Sequence, residues 1–200
     1  MPRSWLPTTS KVRIIAGSNR GMRLSGPGRK GGLKLRPTSD RAREALFNIL
    51  RPESLRGAMV LDLFAGTGAL GLEALSRGAK KAVFVDGSTL ALSLIKKNIA
   101  QGGFSERTQI LRRDLLKGRF FLSSAEFGGP FNLLLMDPPY RRQICHRLLP
   151  ELLTAGLVAP AGLVVCEEAR GEELPEEVPG LCLFDQRRYG DTGFWFYRQG

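Results

Sequence analysis

Residues Met59 to Gly78 read MVLDLFAGTGALGLEALSRG, which is a buried strand, a glycine turn and a helix in immediate succession. Val60, Leu61, Leu63 and Phe64 form an apolar run of strand length interrupted only by Asp62, the pattern of a central parallel strand covered on both faces. The turn falls at Ala65 to Gly68. There Gly66 and Gly68 can take backbone angles closed to other residues and let main-chain N–H groups approach a ligand. Leu70, Glu73, Ala74 and Arg77 then recur at helical spacing, so the helix begins at the ligand.

Gly66 to Gly71 also satisfies the G-x-G-x-x-G dinucleotide pattern, and on that pattern alone a nicotinamide enzyme fits. Two features favour another ligand. Asp62 lies four residues before Gly66, where its charge would repel a pyrophosphate and attract the ammonium end of a methionine-like molecule. A second apolar strand, Phe131 to Met136, runs directly into Asp137-Pro138-Pro139-Tyr140. Together these resemble class I S-adenosylmethionine-dependent methyltransferases. Asp62 through Gly68 is similar to their first motif, and Asp137 to Tyr140 to their amino-methylating motif.

The chain has 200 residues and 42% hydrophobic content. That suffices for one α/β core with a small extension. The longest apolar candidate for a span, Ala155 to Val165, is short and broken by Gly156, Pro160 and Gly162. The first residues, MPRSWLPTTSK, contain no apolar signal core, and a cytoplasmic protein is expected. Cys145, Cys166 and Cys182 lack C-x-x-C spacing, so neither a disulfide framework nor a metal site is expected. The net charge of +11 is concentrated: residues 1–56 hold 13 Lys and Arg against 3 Asp and Glu, while residues 57–200 hold 17 against 16. An excess so placed reads as an N-terminal arm for a polyanion, the alternative being a solvated tail.

Within that arm, Lys11 to Gly17 and Arg20 to Leu24 read as a small hairpin carrying Arg13, Arg20 and Arg23. Ser25 to Lys34, mostly Gly, Pro, Arg and Lys, reads as a mobile basic loop that RNA could order. Pro37 keeps Arg36 extended, Thr38, Ser39 or Asp40 can cap a helix, and Ala42, Ala45, Leu46, Ile49 and Leu50 give that helix an apolar stripe. Arg36, Arg41 and Arg43 are left for RNA.

The order RIIAG, RG, LRPTSDRAREALFNIL, LDLFAGTGALGLEALSRGA and DPPY resembles bacterial 16S ribosomal RNA guanine-N2 methyltransferases of the RsmD type, from about Lys11 to about Tyr140. The resemblance implies a Rossmann-like class I methyltransferase fold: a seven-stranded, mostly parallel sheet with a C-terminal antiparallel hairpin. Residues 57–200 would form this domain, and residues 1–56 a basic extension of hairpin, loop and helix. It also implies S-adenosylmethionine as cofactor, held by Asp62, Phe64, Ala65, Gly66, Thr67 and Gly68. Asp86, at the end of the strand Lys81 to Asp86 and 20 residues after Gly66, would accept the ribose hydroxyls. Asp114 would contact the adenine, although an acid after a strand also serves as a turn or helix cap. Arg13, Arg20, Arg23, Arg36, Thr38, Arg41 and Arg43 would bind RNA.

Later segments complete the sheet. Ser88 can cap a helix with Ala91, Leu94, Ile95, Asn98 and Ile99 on its buried face. Arg107 to Leu111 and Ala161 to Glu167 read as strands, Arg142 to Ala155 as a helix, and Leu181 to Tyr189 with Phe194 to Arg198 as the closing hairpin. Glu167 to Glu177 reads as a solvated loop.

At the expected site, Asp137 and the Pro138 carbonyl can accept N–H groups of an exocyclic amine and aim its lone pair. Pro138 and Pro139 stiffen the turn, and Tyr140 can stack on a flipped base. Cys145 and His146 are adjacent on a helix and point apart, and no Pro-Cys pair exists, so cysteine-based cytosine methylation is not expected. Guanine and 16S RNA come from the resemblance alone. Adenine-N6 methylation of RNA or DNA and a non-catalytic RNA-binding assembly protein are the alternatives. A monomer within a small-subunit assembly particle is expected.

Overall fold

The computed structural model describes residues 9–27, 40–116 and 123–200. Its elements are β1 (Thr9–Arg13), β2 (Arg23–Ser25), α1 (Asp40–Ile49), α2 (Pro52–Leu55), β3 (Met59–Leu63), α3 (Ala69–Ser76), β4 (Lys81–Asp86), α4 (Thr89–Gly102), β5 (Thr108–Arg112), α5 (Ser124–Phe127), β6 (Phe131–Met136), α6 (Ile144–Thr154), β7 (Val158–Ala169), β8 (Glu177–Val178), β9 (Leu181–Tyr189) and β10 (Thr192–Gln199). The main sheet runs β5-β4-β3-β6-β7-β10-β9-β8. Strands β3 to β7 are mutually parallel, and β10 lies antiparallel between β7 and β9. The order reverses between β3 and β6, so the crevice at their carboxyl ends is where an open α/β sheet takes its ligand.

The sheet has eight strands rather than the expected seven, because two residues, Glu177 and Val178, add an edge to β9. Strand β7 is also longer than its apolar run, reaching Ala169, and Glu167 and Glu168 inside it are only 2% exposed. Acidic residues concealed the strand's end in the sequence; here they are buried by the turn after β6.

Two apolar clusters cover the two faces. On one, Leu70, Leu72 and Leu75 of α3 and Ile95 and Ile99 of α4 pack with Leu46 and Phe47 of α1. On the other, Ile144, Leu148, Leu149 and Leu152 of α6 join Phe127 of α5. Burying a side chain of this size contributes about 1.5–3 kcal/mol. In α1 the stripe is rotated from expectation, with Ala42, Arg43, Leu46 and Phe47 buried.

The N-terminal hairpin shares the first cluster through Val12, Ile14 and Leu24 and is therefore not a separate folding unit. Polar contacts fix it further. Glu73 of α3 accepts the N–H groups of Ile15 at 2.7 Å and Ala16 at 3.0 Å. Ser18 N–H reaches the Ser76 carbonyl at 2.8 Å, and a Cβ at Gly17 would overlap that same carbonyl, so only glycine permits the approach. Among the described residues no helix is long and apolar enough to cross a membrane.

Candidate active site

Phe64, with φ of 61°, turns the chain sharply at the end of β3 and begins the glycine loop. The loop closes by Gly68 N–H to the Ala65 carbonyl at 2.6 Å, and Gly68, at φ 79°, stands as the cap residue of α3. Asp86 ends β4 beside this loop. One of its oxygens accepts Gly66 N–H at 2.9 Å and the other accepts Ser88 N–H at 2.8 Å. Each carboxylate oxygen has a second lone pair, so the half-exposed Asp86 keeps acceptor capacity for a ligand hydroxyl. Asp114 is exposed, accepts Leu116 N–H at 3.1 Å, and lies against Gly87, where a Cβ would come within 3.1 Å of its Cα. The loop, Asp86 and Asp114 thus meet along one crevice.

Asp62 does not line that crevice. It is 1% exposed, and its Oδ2 accepts Gly71 N–H in the first turn of α3 at 2.9 Å. Its place beneath the helix, rather than against a ligand ammonium, follows from the alternation of β3. Burial lifts its pKa from 3.8 to about 7, against the lowering effect of the Gly71 hydrogen bond and with help from Asp86. A carboxyl with a raised native pKa binds its proton more tightly folded than unfolded, so this contribution is full below 3.8 and lost as pH rises through about 7. Asp62→Asn, never charged, is therefore expected to gain stability relative to wild type across that window. Urea midpoints at pH 5 and pH 8 check this; a pH-independent difference rejects it.

Asn98 was visible as a polar residue in the apolar register of α4 but had no assigned role. It is fully buried. Its Oδ1 accepts Ser25 N–H at 2.7 Å, while its Nδ2 donates to the Ser25 carbonyl at 3.1 Å and to the Thr67 carbonyl at 2.9 Å. One side chain thereby ties the end of β2 to the glycine loop. Loss of such a buried partner costs about 1–3 kcal/mol. Asn98→Ala is expected to weaken S-adenosylhomocysteine binding about tenfold, as read by titration calorimetry; unchanged affinity would make Asn98 a purely structural link.

Asp137 lies at the end of β6, adjacent to β3, with its N–H 3.4 Å from the Leu63 carbonyl. Pro138 is buried and Pro139 exposed. Tyr140 is fixed at its tip: its hydroxyl donates to Glu167 Oε1 at 2.9 Å and lies 3.1 Å from Thr192 Oγ1. Burial and the neighbouring Glu167 push this phenol's pKa up, which keeps it a neutral donor. Glu167 and Thr192 were not singled out in the sequence, since they reach Tyr140 from β7 and β10.

Of the residues expected to meet RNA, Arg13, Arg20, Arg23 and Arg41 are exposed on the N-terminal elements. Arg36 and Thr38 lie outside the described residues, as does most of the basic loop. Arg43 is a correction. It is 1% exposed, its Nη2 donates to Asp40 at 2.9 Å and to the Arg13 carbonyl, and its Nε stands 4.0 Å from Glu73. Its helix position faces α3, so its charge clamps the fold and cannot reach a polyanion. No cluster of metal-ligating side chains occurs among the described residues.

The family described as conserved hypothetical protein 95 matches residues 12–198. Ribosomal RNA small subunit methyltransferase D of Escherichia coli K12 is 34% identical over 193 residues, covering 96% of this chain and 91% of its own. The protein of the same name from Haemophilus influenzae is 34% identical over 165 residues, covering 82% of each. Among solved structures, a hypothetical protein from Thermus thermophilus superposes with a TM-score of 0.75 at 34% identity, covering 92% of this chain and 98% of that one. An RNA methyltransferase from Salinibacter ruber in complex with S-adenosyl-L-homocysteine shares the fold at TM-score 0.58 and 14% identity, covering 82% of this chain and 93% of that one.

Proposed function

The chain belongs to the conserved hypothetical protein 95 family, the family of small-subunit ribosomal RNA methyltransferases of the RsmD type, and from this we propose its reaction. It is an S-adenosylmethionine-dependent methyltransferase acting on the exocyclic N2 amine of a guanine in 16S ribosomal RNA. The observation that carries this reading is the meeting of the glycine loop and Asp86 with the Asp137 turn across the adjoining ends of β3 and β6.

The donor set fits the cofactor. An acceptor carboxylate at Asp86 and an exposed carboxylate at Asp114 suit a ribose and an adenine in turn. The bound sulfonium supplies an activated methyl group. The residues of the chain position the acceptor: Asp137 and the Pro138 carbonyl accept hydrogen bonds from the guanine amine and orient its lone pair. As positive charge develops on nitrogen, the Asp137 carboxylate stabilises it and takes the proton. Pro138 and Pro139 contribute no N–H donors of their own to compete for that carboxylate. Tyr140, locked by Glu167 and Thr192, presents its ring to an unstacked base.

Residues 1–56 supply the RNA-binding extension, through Arg13, Arg20, Arg23 and Arg41 and, beyond the described residues, Arg36 and Thr38. The enzyme acts as a cytoplasmic monomer on an assembling small subunit. The test is methyl transfer from labelled S-adenosylmethionine to small subunits lacking the modification and to free 16S RNA, followed by digestion to nucleosides. Label in N2-methylguanosine supports the reading, and the better acceptor reveals the assembly stage. Label in N6-methyladenosine alone replaces the base assignment, and no label with RNA binding retained would favour a non-catalytic assembly protein.

A further inference from the structure

The turn after Tyr140 holds two non-glycine residues in left-handed backbone, Arg141 at φ 61° and Gln143 at φ 53°. Such conformations persist only where the surroundings over-determine them. Here they do. Tyr140 is tied to Glu167 and Thr192, and the next residue's N–H, that of Arg141, donates to the carboxylate of Glu168, itself 2% exposed. Two successive glutamates of β7 thus grip two successive residues of the turn. While its backbone is held from within, the side chains of Arg141 and Arg142 are exposed, and neither forms an ion pair with a described acid.

The position of this pair matters as much as its charge. It leads directly into α6, which packs on one face of the sheet. The N-terminal hairpin and α1, with their exposed arginines, pack on the opposite face. Asp137 and Tyr140 follow the carboxyl end of β6, a central strand of the sheet between those two faces. A polyanion bound only by the N-terminal elements would be held from one side of the reacting base.

We propose that Arg141 and Arg142 form a second phosphate-binding surface, which grips the RNA backbone on the α6 side of the catalytic turn while the N-terminal elements grip it on the other. The proposal rests on the RNA reading above and adds where the strand runs. Guanidinium groups match phosphate oxygens in pairs, and a fixed turn presents them without loss of backbone freedom. In this conformation the Arg141 side chain is exposed to solvent.

The test uses Arg141→Gly with Arg142→Ala. Glycine accepts the left-handed conformation and retains the N–H to Glu168, so the guanidinium is removed while the turn is kept. Melting temperature and S-adenosylhomocysteine affinity should stay at wild-type values. Affinity for 16S RNA should fall about tenfold, and the slope of log affinity against log salt should become shallower by about one to two, since each lost phosphate contact removes about 0.7–0.9 from it. KM for RNA should rise in parallel. Wild-type RNA affinity and salt slope in the double variant would overturn the proposal while leaving the methyltransferase reading intact. Failure of the wild-type protein to bind RNA at all would overturn both. A fall in cofactor affinity equal to the fall in RNA affinity would mean a damaged turn rather than a lost phosphate contact, and would also reject the assignment.

Discussion

Asp137→Ala is expected to lower kcat for methyl transfer by about 10²–10³-fold while S-adenosylhomocysteine binding and melting temperature remain close to wild type. In the proposed mechanism the carboxylate is the acceptor placed where charge develops on the attacking amine, and it is half-buried, which strengthens its interaction relative to water. Alanine keeps the backbone of the turn, including the prolines, so the loss should fall on the chemical step. Asp137→Asn keeps an acceptor oxygen without its charge, and a smaller loss is expected, because hydrogen bonds to a charged acceptor are roughly twice as strong as neutral ones. Single-turnover rates with pre-bound RNA separate this from substrate binding. A wild-type single-turnover rate for Asp137→Ala would remove the residue from the mechanism.

Glu73→Ala should give the largest loss of stability, on the order of 3–5 kcal/mol. Glu73 is fully buried and serves four groups: the N–H groups of Ile15 and Ala16, Arg77 Nε at 2.7 Å, and the Arg43 guanidinium, itself 1% exposed. Removing it leaves two amides and two cations without their shared anion. Arg43 suffers most, because burial already disfavours its charge and only Asp40 would then oppose that effect. Against a typical folding free energy of about 5–15 kcal/mol this is a large fraction. Chemical denaturation measures it, and protease nicking within residues 12–27 should accelerate, because the hairpin loses two of its anchors. Glu73→Gln, which retains an oxygen acceptor, should fall between. If Glu73→Ala denatured at the wild-type midpoint, the hairpin would be held by its apolar contacts alone.

These two sites differ in how far the sequence discloses them. Asp137 sits in a contiguous motif after an apolar strand, and nothing distant is needed to recognise it. The same holds for Gly66, Gly68 and Asp86: each ends a strand or opens a helix, and chain order in a parallel sheet sends all of them to one edge. Glu73 shows in the sequence only as one of the residues at helical spacing in α3, with nothing to mark it as an anchor. Its partners stand 57 and 58 positions away, in a hairpin that the sequence placed in an RNA-binding arm.

What the sequence determined by itself was therefore whatever is periodic or contiguous: β4 and β6 to the residue, β3 to within one residue at its end, the glycine turn, the Asp137 turn, and the concentration of positive charge before Met59. Those features arise from local backbone preference and from the alternation that burial imposes on a strand or helix, and both are written along the chain. Tertiary structure alone decided which charged and polar residues face inward. Arg43 and Arg41 lie two positions apart in one helix, yet one is sealed against Glu73 and the other meets solvent. Asp62 turned beneath α3, Asn98 joined β2 to the glycine loop, and Glu167 and Glu168 came from β7 to hold Tyr140 and Arg141. The physical reason is common to all of them: a polar group is buried only where a partner awaits it, and the partner's position is set by packing between elements remote in sequence.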